Sequence, residues 1–273
     1  MSRSVRSNTV RLRGLVASCA ALVLLVFPLA AGAQTPTEHS TTQNVSSAPP
    51  DFMLGRPRAM IGVRGSVFQP SASSDFFEFI IDEFTLEKSS FRTGSFSPEL
   101  AISVMPQLDI VLGMDLNKVD KNSEHRTMDE LLSNGQRVPI QQNTELSEMN
   151  ALVSAKFSLL PRGRRVSRLA WIPNTFVPYV GVGGGYGRYT LHQGGDFVDF
   201  VDNHIFSDSF RSEGWAPVAQ AFAGTDVLVF KRFLISLEGR YTWKKADLSQ
   251  DFVDFEPIGL GGFRFGAGIH LAF

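Results

Sequence analysis

Apolar and polar residues alternate along most of the chain. The clearest run starts at Leu108 and places an apolar residue at every second position up to Leu116, with Asp109 and Asp115 among the residues between. A period of two turns successive side chains to opposite faces of a β-strand. The pattern predicts an all-β fold with about eight strands. They lie at about 58–69, 94–105, 108–119, 144–160, 176–191, 215–229, 233–245 and 257–273.

These strands are too long for most soluble sheets. They run to about 12 to 17 residues, whereas strands of soluble proteins have roughly 5–6 and a membrane-crossing strand needs about 9–11. In hydrocarbon a sheet must close on itself, because an unpaired backbone group costs several kcal/mol there. We therefore expect an antiparallel up-and-down transmembrane β-barrel. Its long outer loops would lie at 70–91, 120–143, 192–213 and 246–256, and shorter connections at 106–107, 161–175 and 231–232.

The amino-terminal segment has the pattern of a secretory signal peptide. Basic residues precede an apolar stretch over 14–30, and Ala31-Gly32-Ala33 is a small-residue cleavage site. We predict a signal peptide at 1–33, a disordered Ser/Thr/Pro-rich leader at 34–55 and a barrel domain at 56–273. An uncleaved membrane anchor is the alternative for the first segment. Because Cys19 falls inside that segment, we expect a mature chain without cysteine and without disulfides.

Several motifs together resemble the eight-stranded bacterial outer-membrane barrels of the OmpA/OmpX/OmpW-like group. They are the run from Pro178 to Tyr186, Gly224-x-Asp226, Leu237-Glu238-Gly239-Arg240-Tyr241 and the terminal Phe273. The resemblance implies an outer-membrane location and a monomer surrounded by lipid and lipopolysaccharide. It also implies that Phe273 is the C-terminal assembly signal, through which the last strand meets the barrel-assembly machinery. We expect no peptidoglycan-binding domain after the barrel.

Amino-acid composition excludes few classes of function. The net charge of −1 gives no indication of nucleic-acid binding. A mean hydropathy of +0.00 suits a membrane barrel, because each strand alternates lipid-facing and lumen-facing residues. A soluble enzyme could have the same mean value, so the periodicity decides between the two.

Charged residues share one face of the predicted strands. Glu238 and Arg240 lie on the lumen side, and Asp226, Arg264 and His270 have the same parity on the neighbouring strands. Buried charges need partners, and an eight-stranded barrel is just wide enough for side chains to fill. We expect a paired network that plugs the lumen, similar to the internal Glu–Arg pairs of OmpA-type barrels. The alternative is a gate in a narrow ion or solute path.

The loops contain a repeated aromatic-acidic motif. Its two copies are Asp196-Phe197-Val198-Asp199-Phe200 and Asp251-Phe252-Val253-Asp254-Phe255, and a looser relative spans 75–84. One interpretation is that the copies extend barrel hairpins, with Phe on one face and Asp on the other. The other is an exposed rim that binds an extracellular partner, an apolar solute or a divalent cation.

No residue pattern predicts a metal site, a cofactor or a catalytic centre. The five histidines, His39, His125, His192, His204 and His270, form no metal-binding pair of the H-x-x-x-H or H-E-x-x-H kind. The enzymatic members of this architecture modify lipid A, and such an activity would need a Ser–His pair on the barrel rim. His270 has no serine two residues away, so we do not expect an enzyme.

Tryptophan, tyrosine and arginine mark the predicted membrane boundaries. Trp215, Tyr241 and Trp243 fall near outer strand ends, where an aromatic girdle would lie, and Trp171 would mark the opposite interface. A basic cluster accompanies Trp171 and would form a solvated turn or contact anionic headgroups. It consists of Arg162, Arg164, Arg165 and Arg168.

The function expected from the sequence is an envelope-structural or surface-interaction role in the outer membrane. Three alternatives remain at this point: a narrow porin-like channel, a lipid-A-modifying enzyme and a secreted lipocalin-like soluble barrel. The last of these would place apolar residues inside the barrel and charged residues outside.

Overall fold

The computed structural model describes residues 53–131, 135–167, 170–199, 204–252 and 255–273. The predicted signal peptide and nearly all of the predicted leader lie outside this part of the chain. Within the described residues, eight long strands form one antiparallel ring, in which β9 also pairs with β10. They are β2 (Ala59–Pro70), β3 (Thr93–Ser103), β4 (Leu108–Leu131), β5 (Arg137–Ser158), β8 (Phe176–Asp199), β9 (His204–Phe230), β10 (Phe233–Ala246) and β12 (Gly262–Ala272). The predicted up-and-down barrel is confirmed.

The first and last strands of the ring close the barrel. β12 pairs with β2 from Met60 opposite Ala272 to Pro70 opposite Gly262. The carbonyl oxygen of Phe273 accepts hydrogen bonds from the backbone N–H groups of Arg58 and Ala59 at 2.9 and 3.0 Å. Closure leaves the ring without an edge strand. We call the end of the barrel that holds Arg58 and Phe273 the terminal end, and the opposite end the loop end.

Two hairpins are much longer than predicted. β4 and β5 have 24 and 22 residues, and β8 and β9 have 24 and 27, whereas β2 and β3 have only 12 and 11. The predictions of long loops at 120–143 and 192–213 are therefore wrong, because paired strand covers most of both. The polar composition predicts loops, but the outward face of a strand that contacts water needs no apolar residues.

The β3–β4 ladder is interrupted at Pro98. Pairing runs from Ser95 opposite Asn117 to Phe96 opposite Leu116 and resumes at Glu99 opposite Gly113. Proline has no N–H to donate to a ladder. On the inner side the Ser97 hydroxyl donates to Asp115 Oδ1 at 2.6 Å, so a side-chain bond spans the gap. We call this break the Pro98 seam.

Smaller elements cover both ends of the barrel. The loop end carries α1 (Asp75–Glu83), 3₁₀ turns at Lys88–Phe91 and Gln250–Phe252, and β11 (Ile258–Gly259). At the terminal end, β1 (Met53–Leu54), β7 (Ala170–Pro173) and β6 (Gly163–Arg165) form a small sheet.

Two residues at the terminal end differ from expectation. Trp171 is buried, so the prediction that it marks the membrane interface at this end is wrong. Arg162 forms an ion pair with Asp109 at 2.6 Å and therefore does not belong to a solvated turn. Arg164 and Arg165 are exposed as predicted, and Arg168 lies outside the described residues.

The outer wall of the barrel is apolar between two aromatic zones. Exposed aromatic residues near the loop end are Tyr186, Trp215, Tyr241, Trp243 and Phe263, and those near the terminal end are Phe157, Phe176, Phe230, Phe233 and Phe273. Phe233 and Trp243 bound this belt on β10. At about 3.3 Å per residue and a tilt of about 40°, they are separated by roughly 25 Å along the barrel axis, the height of a membrane-embedded belt.

Apolar side chains such as Val63, Leu112 and Val182 face outward between these zones, while charged residues face inward. The lipocalin-like alternative required the reverse arrangement and is wrong. Among the described residues, no helix is long and apolar enough to cross a membrane.

Candidate functional site

The five predicted lumen residues all point into the barrel. Asp226, Glu238, Arg240, Arg264 and His270 are between 3% and 8% exposed. Eight further ionisable residues accompany them. These are Arg64, Glu99, Asp109, Asp115, Glu148, Lys156, Arg162 and Lys244. We call the thirteen residues the interior charge layer. Within the described residues the layer contains six Asp or Glu residues and six Arg or Lys residues. Its formal charge is therefore zero when His270 is neutral.

Glu238 lies at the centre of this layer. Its Oε1 accepts from Arg240 Nη2 at 2.8 Å and Nε at 3.0 Å, and Arg64 Nη1 lies 2.9 Å away. The Tyr179 hydroxyl donates to the other carboxylate oxygen at 2.9 Å. A second Arg64 nitrogen donates to Glu99 Oε1 at 3.0 Å. One chain of charge-assisted hydrogen bonds therefore crosses the lumen.

The remaining charges extend this chain toward both ends. His270 Nε2 makes a short contact with Glu99. Lys156 Nζ donates to Asp226 at 2.7 Å toward the terminal end. Toward the loop end, Lys244 Nζ donates to Glu148 at 2.9 Å, in a pair that is almost completely inaccessible to solvent.

Arg264 has no carboxylate among its hydrogen-bond partners in the described residues. It donates to the Thr242 hydroxyl at 2.8 Å and to Asn117 Oδ1 at 3.2 Å. Its guanidinium also lies 3.9 Å from the centroid of the Phe68 ring. A cation over an aromatic face gains electrostatic stabilisation.

The sequence prediction did not include eight of the thirteen members. The signal was nevertheless present, because Asp109, Asp115 and Lys156 have the parity of the polar face in their predicted strands. Parity gives the direction of a side chain but not its partner. For example, Arg240 and Asp115 are 125 positions apart and meet only because the barrel curves.

Side chains fill the lumen at this level. A cavity among Arg64, Gln220, Phe222 and Glu238 measures only about 10 Å³, roughly the space that one water needs. Towards the loop end the lining changes from charged to apolar. Its inward residues include Val119, Leu146, Tyr189, Leu191 and Ala216, all of which are buried.

Aromatic rings from the loops close the apolar upper lumen. Phe76 and Phe77 of α1 are each 1% exposed. Ring contacts link Phe252 to Phe76 at 5.5 Å and to Phe210 at 6.3 Å. We call this group the aromatic cap. Its members are Phe76, Phe77, Phe84, Phe91, Phe197, Phe210, Phe252 and Phe255.

The aromatic-acidic repeat contributes to this cap. An aspartate in each of the three segments accepts a hydrogen bond. Asp75 accepts from the N–H of Glu256 at 2.9 Å, and Asp251 accepts from the N–H of Arg211 at 2.9 Å. Asp196 accepts from the Ser207 hydroxyl at 2.6 Å. The phenylalanine after each of these aspartates joins the cap.

The predicted hairpin extension is present in one copy only. Asp196, Phe197 and Asp199 lie in β8, but Asp251 and Phe252 lie in a 3₁₀ turn, so the prediction is wrong for the fourth loop. Phe252 is only 4% exposed because it packs into the aromatic cap. This packing favours a turn there, although the sequence alternates as in a strand. Phe200 and Asp254 lie outside the described residues.

One Ser–His contact lies on the outer face of the β8–β9 hairpin. His192 Nε2 is 2.8 Å from Ser209 Oγ. Among the described hydrogen bonds, no carboxylate orients the other ring nitrogen, as a catalytic triad would require. The described residues also contain no group of three His, Cys, Asp or Glu side chains that could hold a metal ion.

Solved structures of low sequence identity match this chain. No protein-family model and no curated protein matches the chain. Solved structures that match include OprG of Pseudomonas aeruginosa, at 10% identity and a TM-score of 0.42 over 80% of this chain and 99% of OprG. Neisserial surface protein A matches at 10% identity and 0.40, over 82% and 97%. The outer-membrane protein AlkL matches at 14% and 0.35, over 89% and 96%.

These three are outer-membrane β-barrels. At such identities and TM-scores the similarity adds nothing to the strand pairing described above, on which the fold assignment rests.

Proposed function

We propose that this protein is an integral outer-membrane barrel without an open pore, which presents two tall hairpins at the cell surface. The apolar belt between the aromatic zones supports the membrane location. The predicted signal peptide supports export across the inner membrane. β8 continues to Asp199, well past Tyr186 in the upper aromatic zone, and β4 continues to Leu131. Such strands would extend beyond the lipid, where they could contact surface partners.

The filled lumen is the observation that carries this proposal. A conducting barrel needs a continuous polar path, and this lumen has two successive obstructions. Around Glu238 the interior charge layer leaves a cavity of only about 10 Å³, which is room for about one water, and the aromatic cap covers the apolar layer above it. These features favour a structural or surface-interaction role over the porin-like alternative.

Planar-bilayer conductance tests the proposal. Protein whose folded state is verified by a gel shift between unboiled and boiled samples in SDS should give no steady channel steps. A variant that lacks cap residues 76–80 should also stay closed, because the charge layer still fills the lumen. Changing Arg64, Glu238 and Arg240 together to serine in the variant that lacks the cap residues removes both obstructions, and this protein should give small steps if it retains the gel shift. Steady steps from the unmodified protein would contradict the proposal.

A further inference from the structure

Three arginines line a groove at the terminal end of the barrel. The groove has a volume of about 310 Å³ and lies between the β3–β4 turn and the small sheet. Its lining consists of Arg56, Pro106, Gln107, Pro161, Arg162, Gly163, Arg165 and Trp171. Arg56 leads into the first barrel strand, and Arg165 ends β6, so two separate segments bring these positive charges together.

The groove holds more positive charge than its neighbours neutralise. Arg162 is fully engaged, since it pairs with Asp109 and donates to the hydroxyls of Ser103 and Ser158 at 2.9 Å each. Arg56 donates to a backbone carbonyl, and no acidic side chain in the described residues contacts Arg56 or Arg165. Burial lowers the pKa of Arg56, and the charges of Arg162 and Arg165 lower it further against the pull of Asp109. An anion in the groove would relieve this repulsion.

Exposed apolar residues adjoin the groove in the chain. Val104 and Met105 precede Pro106 and are 53% and 60% exposed, and Leu159 and Leu160 precede Pro161 and are 51% and 47% exposed. Outward apolar side chains at strand ends fit the boundary between hydrocarbon and headgroups. Anionic lipid headgroups lie at this depth and attract arginine.

We propose that the groove binds the phosphate of an anionic phospholipid from the leaflet at the terminal end. Guanidinium groups bind phosphate oxygens through paired N–H donors, and Arg56 and Arg165, which both line the groove, provide such donors from two separate segments of the chain. Trp171 forms part of the groove wall, where the glycerol part of the lipid would lie. The inference rests on the membrane embedding proposed above.

Native mass spectrometry of detergent-purified protein tests this site. After addition of equal amounts of phosphatidylglycerol and phosphatidylcholine, one phosphatidylglycerol should remain bound in preference. Changing Arg56→Gln and Arg165→Gln together should weaken its retention about 25-fold, since each basic residue near a membrane contributes roughly a fivefold factor. The matched control is Arg164→Gln, because Arg164 is exposed on the same strand and does not line the groove.

The outcomes separate this inference from the proposed function. An equal loss with Arg164→Gln, or no preference between the lipids, would overturn the site. Displacement of the lipid by inorganic phosphate at equal concentration would assign the groove to a free anion instead. A missing gel shift in the unmodified protein would count against the barrel itself. If the double variant does not fold, Arg165→Gln alone should weaken retention about fivefold.

Discussion

At the scale of single residues, the stability of the barrel interior depends on each buried charge having a partner of opposite charge. Removing one member of a buried ion pair leaves an uncompensated charge and costs about 3–5 kcal/mol, whereas replacing both members can be nearly neutral. Lys244 and Glu148 are the most deeply buried pair in the described lumen, with side chains 0% and 1% exposed. Their energetic role can therefore be measured by a double-mutant cycle.

We expect Lys244→Met to lower the free energy of unfolding by about 3–5 kcal/mol, because Glu148 loses its cation. Adding Glu148→Gln should recover most of this loss, since its oxygen still accepts from Asn117. Urea unfolding in lipid vesicles, followed by tryptophan fluorescence, provides the values. Lys245→Met on the outer face of the same strand is the control and should change stability by less than about 0.5 kcal/mol. Equal losses in the single and double variants would contradict the paired role.

Sequence parity predicted the inward direction of Glu238, Arg240 and Asp226, because a strand in a barrel must alternate. It could not predict the partners. Tyr179 meets Glu238 across 59 positions, and the contact depends on strand number and curvature rather than on local pattern. The sequence places Arg162 and Arg165 in one basic cluster, but it gives no sign that Arg56 joins them, because Arg56 lies far away along the chain.

At the scale of elements, the barrel strands were predictable and the loop structures were not. The lower parts of β4, β5, β8 and β9 carry lipid-facing apolar residues that fix the alternation. Above the belt the outward face of these strands is polar, so the hairpins resemble loops in sequence. The helix α1 was missed because Asp75 and its neighbouring phenylalanines resembled the strand-like repeat, whereas the buried cap selects a helix there.

Exposed ion pairs stabilise the upper part of the tall β8–β9 hairpin in addition to its backbone ladder. Glu213 accepts from Arg188 at 2.9 Å and from Arg211 at 3.0 Å, and these bonds lower the pKa of its carboxyl group below 4.5. Because the pKa is lower in the folded state, this interaction stabilises the hairpin at pH values above the unfolded pKa. The stabilisation is lost as the pH falls through the folded pKa.

Carboxyl NMR of Glu213 should therefore show a titration midpoint below 4.5. Changing Arg188→Gln and Arg211→Gln should move the midpoint back toward 4.5, whereas Arg137→Gln on the other tall hairpin should leave it unchanged. A midpoint that does not respond to the two hairpin arginines would show that these ion pairs do not persist in solution.

At the scale of the whole molecule, the proposed orientation places the tall hairpins outside the cell and the terminal end in the periplasm. The two ends differ in exposed sites that can be labelled. Gln141 is exposed on the β4–β5 hairpin, and Arg232 is exposed in the β9–β10 turn. Because the only cysteine of the sequence is Cys19, within the predicted signal peptide, a cysteine at either position would give a specific label.

On intact cells, a bulky membrane-impermeant maleimide should label Gln141→Cys and not Arg232→Cys. Disruption of the outer membrane should make Arg232→Cys reactive as well. Gel-shift folding of both variants is the control. Labelling of Arg232→Cys alone on intact cells would reverse the orientation and would place the arginine groove at the cell surface.

The Pro98 seam has a mechanical consequence for the closed ring. When a closed ring of strands is stretched, every strand pair carries the same load, so the ring opens first at its weakest pair. Along most of the wall that load passes through paired backbone bonds, but at the seam the Ser97–Asp115 side-chain bond spans an interrupted ladder. Lateral stress from the bilayer, or a pull on the tall hairpins, would therefore split the cylinder between β3 and β4 first.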